Sequence, residues 1–372
     1  MQPDFVRHID SQSSRSRRLH IDLPLVTLLA LLAAIGLTVL TSASGEQLFY
    51  VKRQAIFMLA GTVIMIAVAQ FPLRFWERWT IAFYIAGLVL LGLVLLIGVG
   101  AKGAQRWLDL GFIRIQPSEL MKLSVPMMVA SFFHHRAIPP TFFEVFAALV
   151  ITAIPAAMIL VQPDLGTSLL IFSSGIFALF LAGLGKRYIF GAITLAIVAA
   201  PLAWRYLLRD YQRQRIHTLF DPSSDALGSG WNIIQSQTAI GSGGIAGKGW
   251  GQGTQSQLDF LPESHTDFII AVLAEEFGLI GVLVLLTVYL LLIIRIGLIA
   301  SNAATVFGKL VAGSMALTFF VYVFVNMGMV AGILPVVGVP LPFVSYGGTA
   351  LLTLLFGFGI IMAISTDKAK NK

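Results

Sequence analysis

The sequence has 372 residues, of which 57% are hydrophobic and 12% charged, with a formal net charge of +7, a mean hydropathy of +0.86 and no cysteine. Repeated apolar runs of about twenty residues, enough to cross a ~30 Å hydrocarbon layer, exclude an ordinary soluble globular protein. Long Leu/Ile/Val/Ala/Phe runs without alternation exclude a spanning β-barrel, and the lack of cysteine excludes disulfides and thiolate metal sites.

The chain opens with a polar tail, residues 1–21, carrying Arg7, Arg15, Arg17 and Arg18. The apolar run from Leu23 to Leu40 follows. Ser42, Ala43 and Ser44 after it imitate a signal-peptide cleavage site, but the run is too long for a signal core and more spans follow, so it is read as the first anchor. Further spans are predicted at 54–70, 79–99, 119–133, 141–160, 167–185, 188–207, 267–294, 308–333 and 343–365. The expected fold is therefore an all-α polytopic membrane protein with about ten transmembrane helices in a domain spanning 22–366. One large extracytoplasmic loop, 208–266, joins helices 7 and 8, and a short tail, 367–372, closes the chain.

Ten crossings put both termini on one side. Fourteen Lys/Arg flank that side and five flank the other in short loops, and the positive-inside bias assigns both termini to the cytoplasm. The cations lie where charge sets topology, so no nucleic-acid partner is read from them. No internal repeat or low-complexity tract is visible. Pro117, Pro163, Pro262, Pro340 and Pro342 punctuate the outer ends of spans. Broken backbone at membrane depth is tolerated only against protein or water, so they point to an outward-opening cavity.

Chemistry is expected near the stretch from Arg209 to Glu276, the one long polar insertion. Asp267 begins a span, and a carboxylate beside hydrocarbon loses hydration, which makes it a better proton acceptor. Position alone favours the plainer reading, a helix N-cap. Glu119 and Lys122 share a helical face and read equally as functional groups or as mutual neutralisers. Asp164 is a cap, a cation ligand or a substrate contact. Glu275 and Glu276 lie two to three turns below Asp267 and need cationic partners if buried.

Arg209, Arg213 and Arg215 place at least two guanidinium groups on one helical face, suited to a diphosphate or to lipid phosphates; snorkelling at the membrane surface is the competing reading. Lys248 is the only cation among seven glycines between Gly241 and Gly253. The pattern fits neither GxGxxG nor a P-loop. These glycines are read as a mobile loop that approaches a sugar or diphosphate, or as a flexible connection. Trp107 on a short outer loop is an interfacial anchor or a platform for a sugar face. Ser345, with Tyr346, Gly347 and Gly348, opens the last span, where hydroxyls could line the cavity. The spacing of His265 and Asp267 matches no zinc motif, and the metal content stays unknown.

Taken together, Lys102-Gly-Ala-Gln-Arg-Trp107, Gln116-Pro-Ser-Glu119 with Lys122, Gln162-Pro-Asp164-Leu-Gly-Thr167, the cluster from Asp210 to Arg215, the glycine stretch, the run from Phe260 to Asp267 and that from Pro340 to Gly348 resemble those of the SEDS (shape, elongation, division, sporulation) family. The chain is most similar to its elongation members from rod-shaped bacteria. The match covers nearly all of 22–365. It implies a peptidoglycan glycosyltransferase that polymerises lipid II on the outer face of the cytoplasmic membrane during elongation. It also implies a class B penicillin-binding protein and other elongation-complex proteins as partners, Asp267 as the catalytic residue and Trp107 as a functional one. Lys102, Arg106, Glu119, Lys122, Asp164, Arg209, Arg213, Arg215, Lys248 and Ser345 are the further candidates for substrate contact. No tightly bound cofactor is expected; a divalent cation, Mg2+ or Mn2+, could accompany the diphosphate. The alternatives are a flippase that translocates the lipid-linked precursor and a scaffold without chemistry. The concentration of charged and glycine-rich features on the outer side favours the enzyme.

Overall fold

In a computed structural model the described residues are 20–367, except 46, 102–103, 110, 112–113, 226–227, 259 and 262. Lys102, Pro262 and nearly all of both predicted tails lie outside the described residues. The element order is α1 (Leu23–Ala43), α2 (Leu48–Ala69), α3 (Leu73–Ile97), β1 (Val99–Ala101), β2 (Ala104–Asp109), β3 (Arg114–Ile115), α4 (Pro117–His134), α5 (Phe142–Val161), α6 (Leu165–Leu181) and α7 (Lys186–Leu202). It continues with α8 (Asp210–Phe220), α9 (Ser229–Gly243), α10 (Thr254–Gln257), α11 (Ile269–Asn302), α12 (Val306–Val330) and α13 (Gly348–Thr366). The strands form a small antiparallel sheet in the order β1-β2-β3.

Helices occupy all ten predicted spans. Eight are long and apolar enough to cross a membrane. The other two are α6, at 17 residues, and α4, whose first turns carry Glu119 and Lys122. The protein is an integral membrane protein. Much of its exposed surface is Leu, Ile, Val and Phe, including Leu59, Val89, Leu283 and Leu290. That surface suits lipid rather than water.

Local chemistry fixes several helix starts. Asp22 accepts the Leu25 N–H at 3.0 Å and so caps α1. The same carboxylate takes Arg295 of α11 in a two-pronged pair, at 3.1 and 2.5 Å, tying the far ends of the two helices together. Thr305 caps α12 through the Gly308 N–H. Each such cap satisfies a donor that the helix itself leaves open.

Two sequence expectations change. The stretch 208–266, expected as one large loop between spans, carries helices of its own: α8, a short 3-10 turn, α9 and α10, and α9 packs on α11. The span expected at 267–294 is two helical pieces. Gly278 interrupts α11 at φ 63, ψ −162, a conformation open essentially to glycine. Residues 269–276 before the break are buried on every side, while the longer piece after it alternates buried and exposed positions. The break fits the glycine stretch against α11: Leu279 and Ile280 donate their N–H groups to Gly244 and Ile245, and Lys248 and Gly249 donate theirs to Glu275 and Glu276. A Cβ on Gly243 or Gly247 would collide with the carbonyls of Ala274 or Glu276. The glycines therefore serve close packing against a helix.

Candidate active site

The first turns of α4, α6 and α13, strand β2, Tyr322 of α12 and the irregular segments 263–267 and 338–347 line a cavity of ≈ 450 Å³. Its lining brings together Arg106, Trp107, Glu119, Lys122, Asp164 and Asp267, six of the residues singled out in the sequence. Gln116, Glu263, Tyr322 and Tyr346 join them. A second cavity of ≈ 650 Å³ adjoins through shared walls at Trp107, Tyr346, Gly348 and Thr349 and adds Arg53 and Arg114. Trp107 thus stands between two chambers rather than in a lipid-facing belt.

The charged groups come in pairs. Lys122 donates to Glu119 at 2.5 Å, both side chains being largely buried, and its Nζ lies 5.0 Å from the centre of the Tyr322 ring. Arg106 lies 3.4 Å from Asp164 and donates to the Pro163 carbonyl at 2.9 Å. Asp164 also accepts the Thr167 N–H at 3.2 Å, so it caps α6 and holds an arginine at once. In the second cavity the Asp109 carboxyl is held below its ordinary range by the Gly111 N–H and by Arg114, 3.0 Å away. Two cations, Arg106 and Lys122, are thereby fixed by carboxylates at the wall of a chamber that also holds Asp267.

Asp267 is half-buried. The capping place of α11 is assigned to Phe268, one residue beyond Asp267. The preceding segment turns tightly, with Glu263 in the left-handed region at φ 58; a non-glycine residue there costs about 1–3 kcal/mol and is found where surroundings over-determine it. Thr266 donates to the Glu263 carboxylate at 2.7 Å. His265 stacks on Tyr50, ring centres 4.7 Å apart, and so is an aromatic contact.

Other expected site residues lie elsewhere. Arg213 donates to the carbonyls of Trp204 and Arg205, both at 3.1 Å, filling acceptors freed where α7 ends in a π-helical turn. Arg215 lies over the Tyr211 ring, and Arg209 is exposed at the start of α8. None of the three lines either cavity. Lys248 pairs with Glu275 at 2.7 Å, where Thr254 and the Gln255 N–H also meet the same carboxylate. Ser42 of α1 donates to Glu276. Glu275 thus has the cationic partner its burial demands, held by Lys248 as a structural clasp, while the contact seen at Glu276 is a hydroxyl. Ser345 is buried and uses its hydroxyl on backbone groups instead of the main cavity.

Among the described residues no three carboxylates or imidazoles of the cavity converge on one point; the group that does is Glu77, His134 and His135. It lies at the other end of α4, about 25 Å from Pro117. There the Phe307 N–H donates to His134 Nδ1 at 3.2 Å, so Nε2 carries the proton and faces Glu77 at 3.2 Å.

The FTSW_RODA_SPOVE family of cell cycle proteins matches residues 22–370. The chain is similar to the peptidoglycan glycosyltransferase MrdB of Escherichia coli K12, at 52% identity over 351 residues, covering 94% of this chain and 95% of the relative. It is similar to a probable peptidoglycan glycosyltransferase FtsW of Geobacter metallireducens, at 37% identity over 358 residues, covering 93% and 94%. Among solved structures, a chain from work on structural coordination of polymerization and crosslinking by a peptidoglycan synthase complex superposes with a TM-score of 0.83 at 30% identity, covering 94% of this chain and 99% of that one. The rod shape determining protein RodA of Thermus thermophilus superposes with a TM-score of 0.73 at 28% identity, covering 95% and 100%.

Proposed function

Because this chain belongs to the FTSW_RODA_SPOVE family of cell cycle proteins and is a peptidoglycan glycosyltransferase, we propose that it polymerises lipid II into glycan strands, with Asp267 as general base. One observation carries the reading: a single cavity holds Asp267 with Arg106 and Lys122, and Trp107 divides it from a second chamber. Chain extension needs two lipid-linked sugars side by side, and two joined chambers suit that need.

In the reaction Asp267 takes the proton from the hydroxyl of one sugar as its oxygen bonds to the anomeric carbon of the other. The bond from that carbon to the diphosphate breaks, and the diphosphate leaves with the electron pair. Arg106 and Lys122 meet the charge that develops on it, and because Asp164 and Glu119 already hold them in place, little reorganisation accompanies the step. Diphosphate is a good leaving group, so the second carboxylate of a glycosidase is not required. A divalent cation would have to arrive with the diphosphate. Trp107 offers a flat face for a sugar ring.

The cavity faces outward in this reading, with both termini in the cytoplasm and the chain in the bacterial cytoplasmic membrane. A class B penicillin-binding protein is the partner that would crosslink the product, in keeping with the synthase complex in which a structural relative was solved. The experiment is product analysis after incubating purified lipid II with wild-type protein and with Asp267→Asn.

A further inference from the structure

Three consecutive backbone carbonyls ending at Asp267 each accept a hydrogen bond from another part of the chain. His265 O takes the Tyr346 N–H at 2.9 Å, Thr266 O takes Ser345 Oγ at 2.6 Å, and Asp267 O takes Asn326 Nδ2 at 3.0 Å. Ser345 Oγ accepts the Leu341 N–H at 2.8 Å in turn.

Asn326 carries the most of this arrangement. It is wholly buried in α12, a helix of otherwise apolar character at this level. Its amide nitrogen also donates to Val339 O at 2.7 Å. Val339 follows Gly338, which has φ 77 and whose absent Cβ would sit 3.4 Å from Asp267 Oδ2. One amide therefore grips the backbone of Asp267 and the backbone wall against which its carboxylate rests. The amide cannot be turned over, because Oδ1 would then face two carbonyl oxygens. In the orientation found, Oδ1 has no hydrogen-bond partner among the described residues. A buried amide that leaves one end unsatisfied while its N–H bonds go to Asp267 and to the wall segment at Val339 calls for an explanation.

We propose that Asn326 is a positioning residue for the glycosyl-transfer step: it sets where the Asp267 carboxylate stands in the cavity, with Ser345 as its second support. The inference rests on the reading of Asp267 as the base. Asn326 touches no substrate in this account, so its loss acts on the rate of the step and leaves binding in place.

The test uses full-length protein, with Asn326→Asp and Ser345→Ala assayed singly and together. Asn326→Asp keeps the side-chain shape and leaves at most one donor, a protonated carboxyl, for two carbonyls. Rates are taken per folded molecule, the folded fraction being measured by monodispersity and thermal melting. A displaced base predicts that kcat on lipid II falls about a hundredfold in Asn326→Asp while KM stays within about twofold. Because both supports hold one segment, the double variant loses less than the product of the single effects. An unchanged kcat per folded molecule, or a loss carried by KM, overturns the assignment. Should Asn326→Asp fail to fold, the same comparison on Ser345→Ala decides. Asp267→Asn is run alongside: if it polymerises at the wild-type rate the base reading itself has failed, whereas an inactive Asp267→Asn beside normal Asn326 and Ser345 variants removes only the positioning role.

Discussion

Lys122 Nζ lies 2.5 Å from Glu119 Oε1, one turn apart on α4, and both side chains line the chamber that holds Asp267. The sequence reads this pair equally as mutual neutralisation and as function; its position at the chamber wall supports both.

Removing one member separates the roles. Glu119→Gln leaves a buried ammonium without its counter-charge and should destabilise the protein by about 3–5 kcal/mol. The double variant Glu119→Gln/Lys122→Met should regain most of that stability, because no lone charge remains. It should stay far below wild type in glycan formation, because a cation facing the diphosphate is gone. Thermal melts and lipid II turnover on the same preparations check both halves.

Asp164→Asn tests the second pair. Asparagine caps helices about as well as aspartate, so α6 should keep its start and the stability read from thermal melts should change by no more than about 1 kcal/mol. Arg106, 3.4 Å away, loses its anchor. The expected result is weaker use of lipid II, about tenfold in kcat/KM, as for one lost charge-assisted contact. Arg106→Lys should behave similarly, since an ammonium cannot keep both Asp164 and the Pro163 carbonyl in one plane.

Lys248→Met examines the clasp beneath the glycine stretch. The Glu275 side chain is fully buried and Lys248 is its cationic partner, so the substitution should cost about 3–5 kcal/mol of stability. Whatever folds should turn over lipid II with the wild-type KM. A raised KM with an unchanged melting temperature would instead restore Lys248 to the substrate site.

Addition of a chelator addresses the cation. The cavity brings no three protein ligands together among the described residues, so a cation requirement, if present, should follow the diphosphate. Activity lost to chelation should return with either Mg2+ or Mn2+, and protein without substrate should bind neither ion tightly by calorimetry.

The fold and half of the site could be read from the sequence, for physical reasons. Apolar runs long enough to cross a bilayer announce helices whatever their neighbours, and all ten predicted segments are helical. Charges at the ends of such runs are costly enough to be informative, which is why Arg106, Glu119, Lys122, Asp164 and Asp267 emerged and do meet. Composition could not tell a glycine-rich loop from a glycine-rich packing surface, because both need small residues; the break at Gly278 and the fit of Gly247 against Glu276 decide that. Nor could charge alone tell that Arg213 serves the frayed end of α7, since the acceptors it fills exist only after that helix ends in a wide turn. Asn326 was missed although its signal was present: a lone amide in the run Phe324-Val-Asn-Met needs a partner at membrane depth. Its partners, Asp267 and Val339, lie 59 and 13 residues away in the chain, and only the fold reveals the pairing.

The account turns on Asp267 accepting a proton, and one measurement tests that most directly: gel analysis of glycan products from purified lipid II, comparing wild type with Asp267→Asn at matched folded concentration. Asparagine preserves size and removes basicity, so lipid II should still bind and no glycan ladder should form. A ladder of wild-type length and intensity from Asp267→Asn would contradict the account.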